Sequence, residues 1–401
     1  MEYYYLSSNC KYYKQNEVYM KNDMPLQDDN GEPIGQVLFK SLIKKETSHF
    51  IHNNFTNIIA LVGAGASVLC TEGQIDTRFG KTVAMLAKLI NDALKTDSNC
   101  FTLQEMATLC RYEMPVEVLS EDGTEMLNSE FNLEDFLSDL LAFEKYVPDE
   151  EREKYERSKE KVFGLIIKNT SYDYDSTYLK HSIFINTVSH LVKTPSKLTI
   201  VTTNYDTLIE DAAESIKYTI IDGFSFARKA YFDGDMFEWN LVKDIENVKT
   251  RELEYKKNII NLLKLHGSLT WERDENGIIR KDKSEVKTPI MVFPSSNKYM
   301  QSYQDPYFEL FTKFQELLKR PNTLLITSGF SFADNHISQM VIQAIQHNKS
   351  LSTLVTDYNI TQGNPNWVKL AELMKHNYPI AFLRTTMNED LADYLGEYYD
   401  D

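Results

Sequence analysis

The chain has 401 residues, 42% hydrophobic and 25% charged, the balance of a soluble globular protein long enough for one large α/β domain plus an insertion. A formal net charge of −16 argues against nonspecific binding along a phosphate backbone, which needs clustered Lys and Arg, although a local basic patch is compatible with it. No apolar run approaches the roughly 20 residues of a membrane span, and Met1-Glu2-Tyr3-Tyr4-Tyr5 is not a basic region followed by an apolar one, so a cytoplasmic protein is expected.

Residues 1–34 are polar and Tyr-rich, with a turn at Asp28-Asp29-Asn30-Gly31, and read as a short hairpin or arm. Val37, Leu38, Leu42, Ile43, Phe50 and Ile51 recur at helical spacing between Gln36 and Asn54. The run Ile58-Ile59-Ala60-Leu61-Val62 then ends abruptly in Gly63-Ala64-Gly65-Ala66-Ser67, the pattern of a buried strand entering a tight turn. Gly63 and Gly65 allow a sharp bend and close approach of backbone to a ligand. Ser67 can cap a following helix, and free amides there would hold an anion such as a pyrophosphate.

Helical periodicity resumes from Val83 to Leu94, and the stretch from about Phe101 to Thr194 is dominated by helical patterns, including Leu133 to Phe143 and Asp149 to Lys168. It reads as a helical insertion, residues 101–194, within an α/β domain made of residues 1–100 and 195–401. Strand-like runs return at Leu198 to Thr202, Leu262 to Leu265, Ile290 to Phe293, Thr323 to Thr327, Thr353 to Thr356 and Ile380 to Leu383. Helical patterns at Tyr307 to Lys319, Ile337 to His347 and Trp367 to Lys375 lie between several of them. Short apolar strands alternating with helices predict an α/β, Rossmann-like, doubly wound parallel sheet. The aromatic and charged residues 224–258 read as a long excursion.

In such a sheet ligands bind beyond the carboxyl ends of the strands. The residues just after each strand are therefore informative: Thr203-Asn204-Tyr205-Asp206, His266-Gly267-Ser268, Ser328-Gly329-Phe330-Ser331-Phe332-Ala333-Asp334 and Asp357-Tyr358-Asn359, beside the glycine turn. Each has a plain structural reading. The glycine turn can be only a connection, Asn204 and Asp206 can be helix caps, His266 can be a core histidine, and His336 fits a helix-start residue. The four cysteines, Cys10, Cys70, Cys100 and Cys110, form no Cys-x-x-Cys pair, so packed free thiols and no metal site are expected. Tyr231, Phe232, Phe237 and Trp239 fit a pocket lining or ordinary packing.

Taken in order, Gly63-Ala64-Gly65-Ala66-Ser67, Thr202-Thr203-Asn204-Tyr205-Asp206, His266-Gly267, Gly329-Phe330-Ser331 and Asp357-Tyr358-Asn359 resemble the NAD-binding motifs of the sirtuin family. The Gly329 to Ile337 block and Asn132-Leu133-Glu134-Asp135-Phe136 resemble its bacterial antiphage-defence branch, which hydrolyses NAD. Two features of deacylase sirtuins are missing: there is no Cys after His266 to form the zinc pairs, and Gly73-Gln74-Ile75-Asp76-Thr77-Arg78-Phe79 does not match the Gly-Ile-Pro-Asp-Phe-Arg segment. Val68 also replaces the third glycine of the dinucleotide fingerprint.

The resemblance implies an NAD glycohydrolase, with NAD as substrate and no resident cofactor. Bond cleavage would pass through an oxocarbenium-like state, in which positioning matters most. Asn204 would orient ribose hydroxyls and water, His266 would accept a proton, and Asp206 would orient Asn204, the water or a ribose hydroxyl. Gly63, Ala64, Gly65 and Ser67 would take the pyrophosphate side, Ser331 and Asn359 the adenosine half, and Thr203, Gly329 and Asp357 would also bind the NAD. The alternatives are a non-catalytic NAD or ADP-ribose sensor and a protein deacylase. The resemblance further implies a homo-oligomer, and a HerA-type hexameric ATPase as possible partner.

Overall fold

The computed structural model describes residues 1–71, 74–76, 78–120, 123, 125–128, 130–245, 253–291 and 306–396. Its frame is an 11-stranded sheet. The chain-order strands are β1 (Glu2–Ser7), β2 (Lys11–Gln15), β3 (Val18–Lys21), β4 (Met24–Pro25), β5 (Asn57–Val62), β6 (Leu198–Thr202), β7 (Thr219–Ile221), β8 (Ile259–Lys264), β9 (Thr323–Ser328), β10 (Leu351–Asp357) and β11 (Ile380–Arg384). Their spatial order is β7-β8-β6-β5-β9-β10-β11-β1-β2-β3-β4. The strands from β7 to β11 are all parallel, and β1 to β4 add an antiparallel extension beyond β11.

Both faces are buried, which is why the central strands read as continuous apolar runs. Successive residues serve opposite faces. Ile59 and Leu61 join one core cluster, while Ile58, Ala60 and Val62 join the other. The first cluster is covered by Tyr307–Lys319, Asn335–His347 and Pro365–Lys375, and the second by Gln36–Ile51, His181–His190, Leu208–Ser215 and Leu391–Leu395. The fold is thus a Rossmann-like, doubly wound α/β sheet with a helical insertion. Three insertion helices carry their own cluster: Leu103–Leu109, Leu133–Phe143 and Asp149–Thr170. Val83–Lys95 packs with them, whereas His181–His190 packs on the sheet.

Several expectations change. The N-terminal residues form four strands of the main sheet rather than a separate hairpin or arm. The strand expected at 262–265 begins at Ile259. The short β7, three residues long, is too brief to give a periodic signal. Ile290–Met291 pairs antiparallel with Gly267–Ser268 in a separate two-stranded unit and is not part of the parallel sheet; residues 292 and 293 lie outside the described residues. Cys70 is exposed instead of packed, because it sits on a two-residue strand at the surface. Within residues 224–245, Phe232 and Phe237 pack on the core while Trp239 is exposed and donates to Asp235.

Candidate functional site

The chain leaves β5 for β6 on one side of it and returns through β9 on the other, so the carboxyl ends of β5, β6 and β9 border the switch-point crevice. The glycine turn is folded into a single 3-10 turn, Ala64–Ala66. No helix starts at Ser67, and the next one begins at Val83 with Thr82 as its cap, so Ser67 does not cap a helix. Nor is the turn a row of free amides. The amides of Gly63, Gly65, Ala66, Ser67 and Val68 donate to the carbonyls of Ser328, Gly329, Gly63, Ala64 and Gly65. The glycines serve backbone packing: a Cβ on Gly63 would lie 2.6 Å from the Gly329 oxygen, and one on Gly65 would lie 2.9 Å from the Gly329 Cα.

The side chain of Ser67 points the other way, into a buried polar line. Asn204 Nδ2 donates to Ser67 Oγ at 3.1 Å and to the Gly63 carbonyl at 3.2 Å, and Ser67 Oγ donates to Asp206 Oδ2 at 3.0 Å. The Asn204 amide is fixed by Thr202 Oγ1, and the Thr203 amide ties to the Val62 carbonyl. Asp206 Oδ1 accepts from the Leu208 amide, the first of the helix Leu208–Ser215, although the N-cap position itself is Thr207, so Asp206 satisfies a helix-start amide alongside the polar line. Burial pushes the Asp206 carboxyl up to about 6, against the opposing pull of the Lys264 ammonium.

Lys264 went unnoticed in the sequence, yet a lysine following Leu262-Leu263 at the end of a buried strand is a signal, since a buried charge needs a partner. Its side chain is 1% exposed, and Nζ reaches Glu210 Oε1 at 2.7 Å and the carbonyl of Asp206. It therefore clamps the loop that carries Asn204 and Asp206. Asn388 supplies a second brace that the sequence did not signal: Nδ2 donates to the carbonyls of Ala66 and Val68, and Oδ1 accepts from the Lys180 amide.

Ala64, Ser67, Thr203, Asn204 and Asp206 line one cavity of about 80 Å³, together with Val83 of the helix Val83–Lys95 and Leu133 and Leu137 of the insertion. That volume is well below the roughly 300–1,000 Å³ of ligand pockets. His266 is buried outside it. Its Nε2 lies 3.1 Å from Asp334 Oδ2, without hydrogen-bond alignment, and its ring is 6.4 Å from that of Tyr205. Asp334 Oδ1 also caps the helix Asn335–His347, accepting from the His336 amide. Gly329 meets the glycine turn, with φ +62. Ser331, Asp357 and Asn359 do not line the Asn204 cavity. Ser331 is exposed, and Asp357 Oδ1 accepts from the Asn359 amide two strands from β5. Gly73 and Thr77, in the stretch that departs from the sirtuin pattern, lie outside the described residues. Among the described residues, no cluster of three or more His, Cys, Asp or Glu could hold a metal ion, and no helix is long and apolar enough to cross a membrane.

Residues 198–378 match the family model described as SIR2-like domain. The match takes in Asn204, Asp206, His266, Gly329, Ser331, Asp357 and Asn359 and leaves out the turn at Gly63–Ser67. No curated protein matches the chain by sequence. A solved structure titled "Structural Basis for the Mechanism and Regulation of Sir2 Enzymes" is similar at 12% identity and a TM-score of 0.38, covering 88% of this chain and 95% of that one.

Proposed function

We propose that this SIR2-like chain is an NAD glycohydrolase, acting in antiphage defence by depleting NAD. The observation that carries the reading is the hydrogen-bonded line Asn204–Ser67–Asp206, buried at the switch point where a dinucleotide would lie. In the reaction the bond between the ribose C1′ and the nicotinamide nitrogen breaks and its electron pair goes to the departing, neutral nicotinamide. Water adds to C1′ and releases one proton. Asn204 would orient the ribose and the water. Asp206, lifted to about 6, is mostly ionised at neutral pH, so it can take that proton through the Ser67 hydroxyl. His266, at the end of the neighbouring strand, would serve as a second proton acceptor once freed from Asp334.

The test is incubation of the pure protein with NAD and detection of nicotinamide and ADP-ribose. Asn204→Ala and His266→Ala should each lower turnover by about a hundredfold or more. Normal turnover in both variants, or none in the wild type under any activating condition, sinks the reading. Such an enzyme running freely would harm its host, so we further propose gating by self-assembly or by a HerA-type ATPase. A stable, fully active monomer in sedimentation would count against that gating.

The contact of His266 with Asp334, which occupies the second proton acceptor, favours a second reading, a sensor that binds NAD or ADP-ribose without cleaving it. Quantitative recovery of intact NAD from the bound protein would select the sensor. A deacylase is disfavoured because the chain has no Cys after Cys110 for the zinc pairs.

A further inference from the structure

A second cavity, of about 250 Å³, opens at the opposite end of the sheet, where the parallel strands begin. Asn57 starts β5, Lys197 immediately precedes β6, and Arg320 precedes β9. Six residues of β5 separate the two ends, roughly 20 Å. Three cations, Lys197, Lys313 and Arg320, line this cavity, and among the described residues the one carboxylate in its lining is Glu238, paired with Lys313. An adjoining cavity of about 380 Å³ shares Lys197 and Asn240 and adds Lys256 and Lys257. In a chain of net charge −16 this is a concentrated positive patch.

Two details point to an occupant. Lys197 Nζ donates to the carbonyls of Phe237 and Trp239 at 2.9 and 2.5 Å, with no carboxylate against it among the described residues. Burial, and then the charges of Lys313 and Arg320, hold its ammonium down to about 8. Asn261 is 8% exposed and lines the same cavity. Its Nδ2 donates to the Phe237 carbonyl, while its Oδ1 is buried with no hydrogen-bond partner. A buried acceptor left open calls for a donor from a ligand.

We propose that this cavity is a second nucleotide site, separate from the Asn204 crevice, which takes a nucleoside phosphate with its phosphates on Lys197, Lys313 and Arg320 and an amine or hydroxyl donor on Asn261. Phosphate oxygens match the cations, and the base or ribose supplies the donor that a bare anion lacks.

The experiment is calorimetric titration of the full chain with ATP, adenosine and tripolyphosphate. ATP should bind at least about tenfold more tightly than either fragment, and Lys313→Ala/Arg320→Ala should weaken ATP by about tenfold or more. That double variant should keep the basal NAD turnover of the wild type, and Asn204→Ala should keep ATP binding. Arg320→Glu, a change at an exposed residue, repeats the test without risk to the core. Tripolyphosphate bound as tightly as ATP, ATP bound equally by the cation variants, ATP lost in Asn204→Ala, or no binding at about 1 mM would each overturn the assignment.

Discussion

The Gly65 amide donates to the Gly329 carbonyl at 2.9 Å, and with the Gly63 amide donating to the Ser328 carbonyl at 3.0 Å it locks the loop after β5 to the end of β9. The contact is backbone against backbone, and Gly329 holds φ +62 with its missing Cβ 2.1 Å from the Ala66 nitrogen. Gly329→Ala should therefore lower stability by about 2–3 kcal/mol or more, combining left-handed strain with a clash that backbone cannot relieve. Gly363, which has open space around it and no positive φ, is the control: Gly363→Ala should be near neutral. Chemical denaturation of both variants checks the pair, and an equal small effect would show that the loops are not locked.

Asp206 gives a pH signature. Its carboxyl moves from an ordinary 3.8 to about 6 through burial. Between those values the folded chain holds a proton that the unfolded chain has released, so stability falls as pH rises from about 4 to about 6. The shift corresponds to roughly 3 kcal/mol. Asp357, also raised to about 6 by burial, acts in the same direction. Buried His181, held down to about 4, acts in the opposite direction across the same window, so the difference between wild type and variants carries the sign. Melting curves should show a decline from about pH 4 to about pH 6 that is reduced in Asp206→Asn and again in Asp206→Asn/Asp357→Asn, and variants that decline as steeply as the wild type would contradict it.

Lys264 predicts a coupled pair. Lys264→Met leaves Glu210 without its cation and frees the Asp206 carbonyl, which should cost about 3–5 kcal/mol. Lys264→Met/Glu210→Leu should recover much of that loss, because the stranded charge is gone. A double-mutant cycle by denaturation reads the coupling, and additive losses would show that the two side chains act independently.

If NAD binds at Asn204 as proposed, a cavity of about 80 Å³ is too small to hold it as it stands, and binding would part Val83–Lys95 and the insertion helix Leu133–Phe143 from the sheet. Hydrogen exchange should accordingly rise with NAD in Val83–Lys95 and Leu133–Phe143, whose Val83, Leu133 and Leu137 line that cavity, while β5 and β6 stay protected. Uniform protection throughout the chain would place NAD elsewhere.

Much of the frame was legible because a sheet buried on both faces leaves an unmistakable mark: β5 is apolar from Ile58 to Val62 and then stops at Gly63. The strand-end rule then pointed to Asn204 and Asp206. Less legible was the role of each residue there. Gly63 and Gly65 read as an approach to a ligand, but glycine next to a strand end is equally suited to close backbone packing, and Gly329 lies 264 positions along the chain from Gly65. His266 read as part of one site with Asn204; a sequence cannot show that Asp334, brought by a different loop, stands against its ring. Asn388 gave no sign, since an isolated asparagine near a C-terminus looks like any surface amide.

The antiparallel strands β1 to β4 carry a consequence for assembly. They cover β11, which would otherwise offer a row of unpaired peptide groups, and the extension ends on the two-residue β4, where Pro25 has no amide to give. The far side ends on β7, three residues long. Among the described residues, strand-to-strand growth of copies would therefore find only a two-residue and a three-residue edge strand to pair with. An assembly, if one forms, would be held by side chains on helical and loop faces, with a geometry set by surface complementarity and not by the sheet's own repeat.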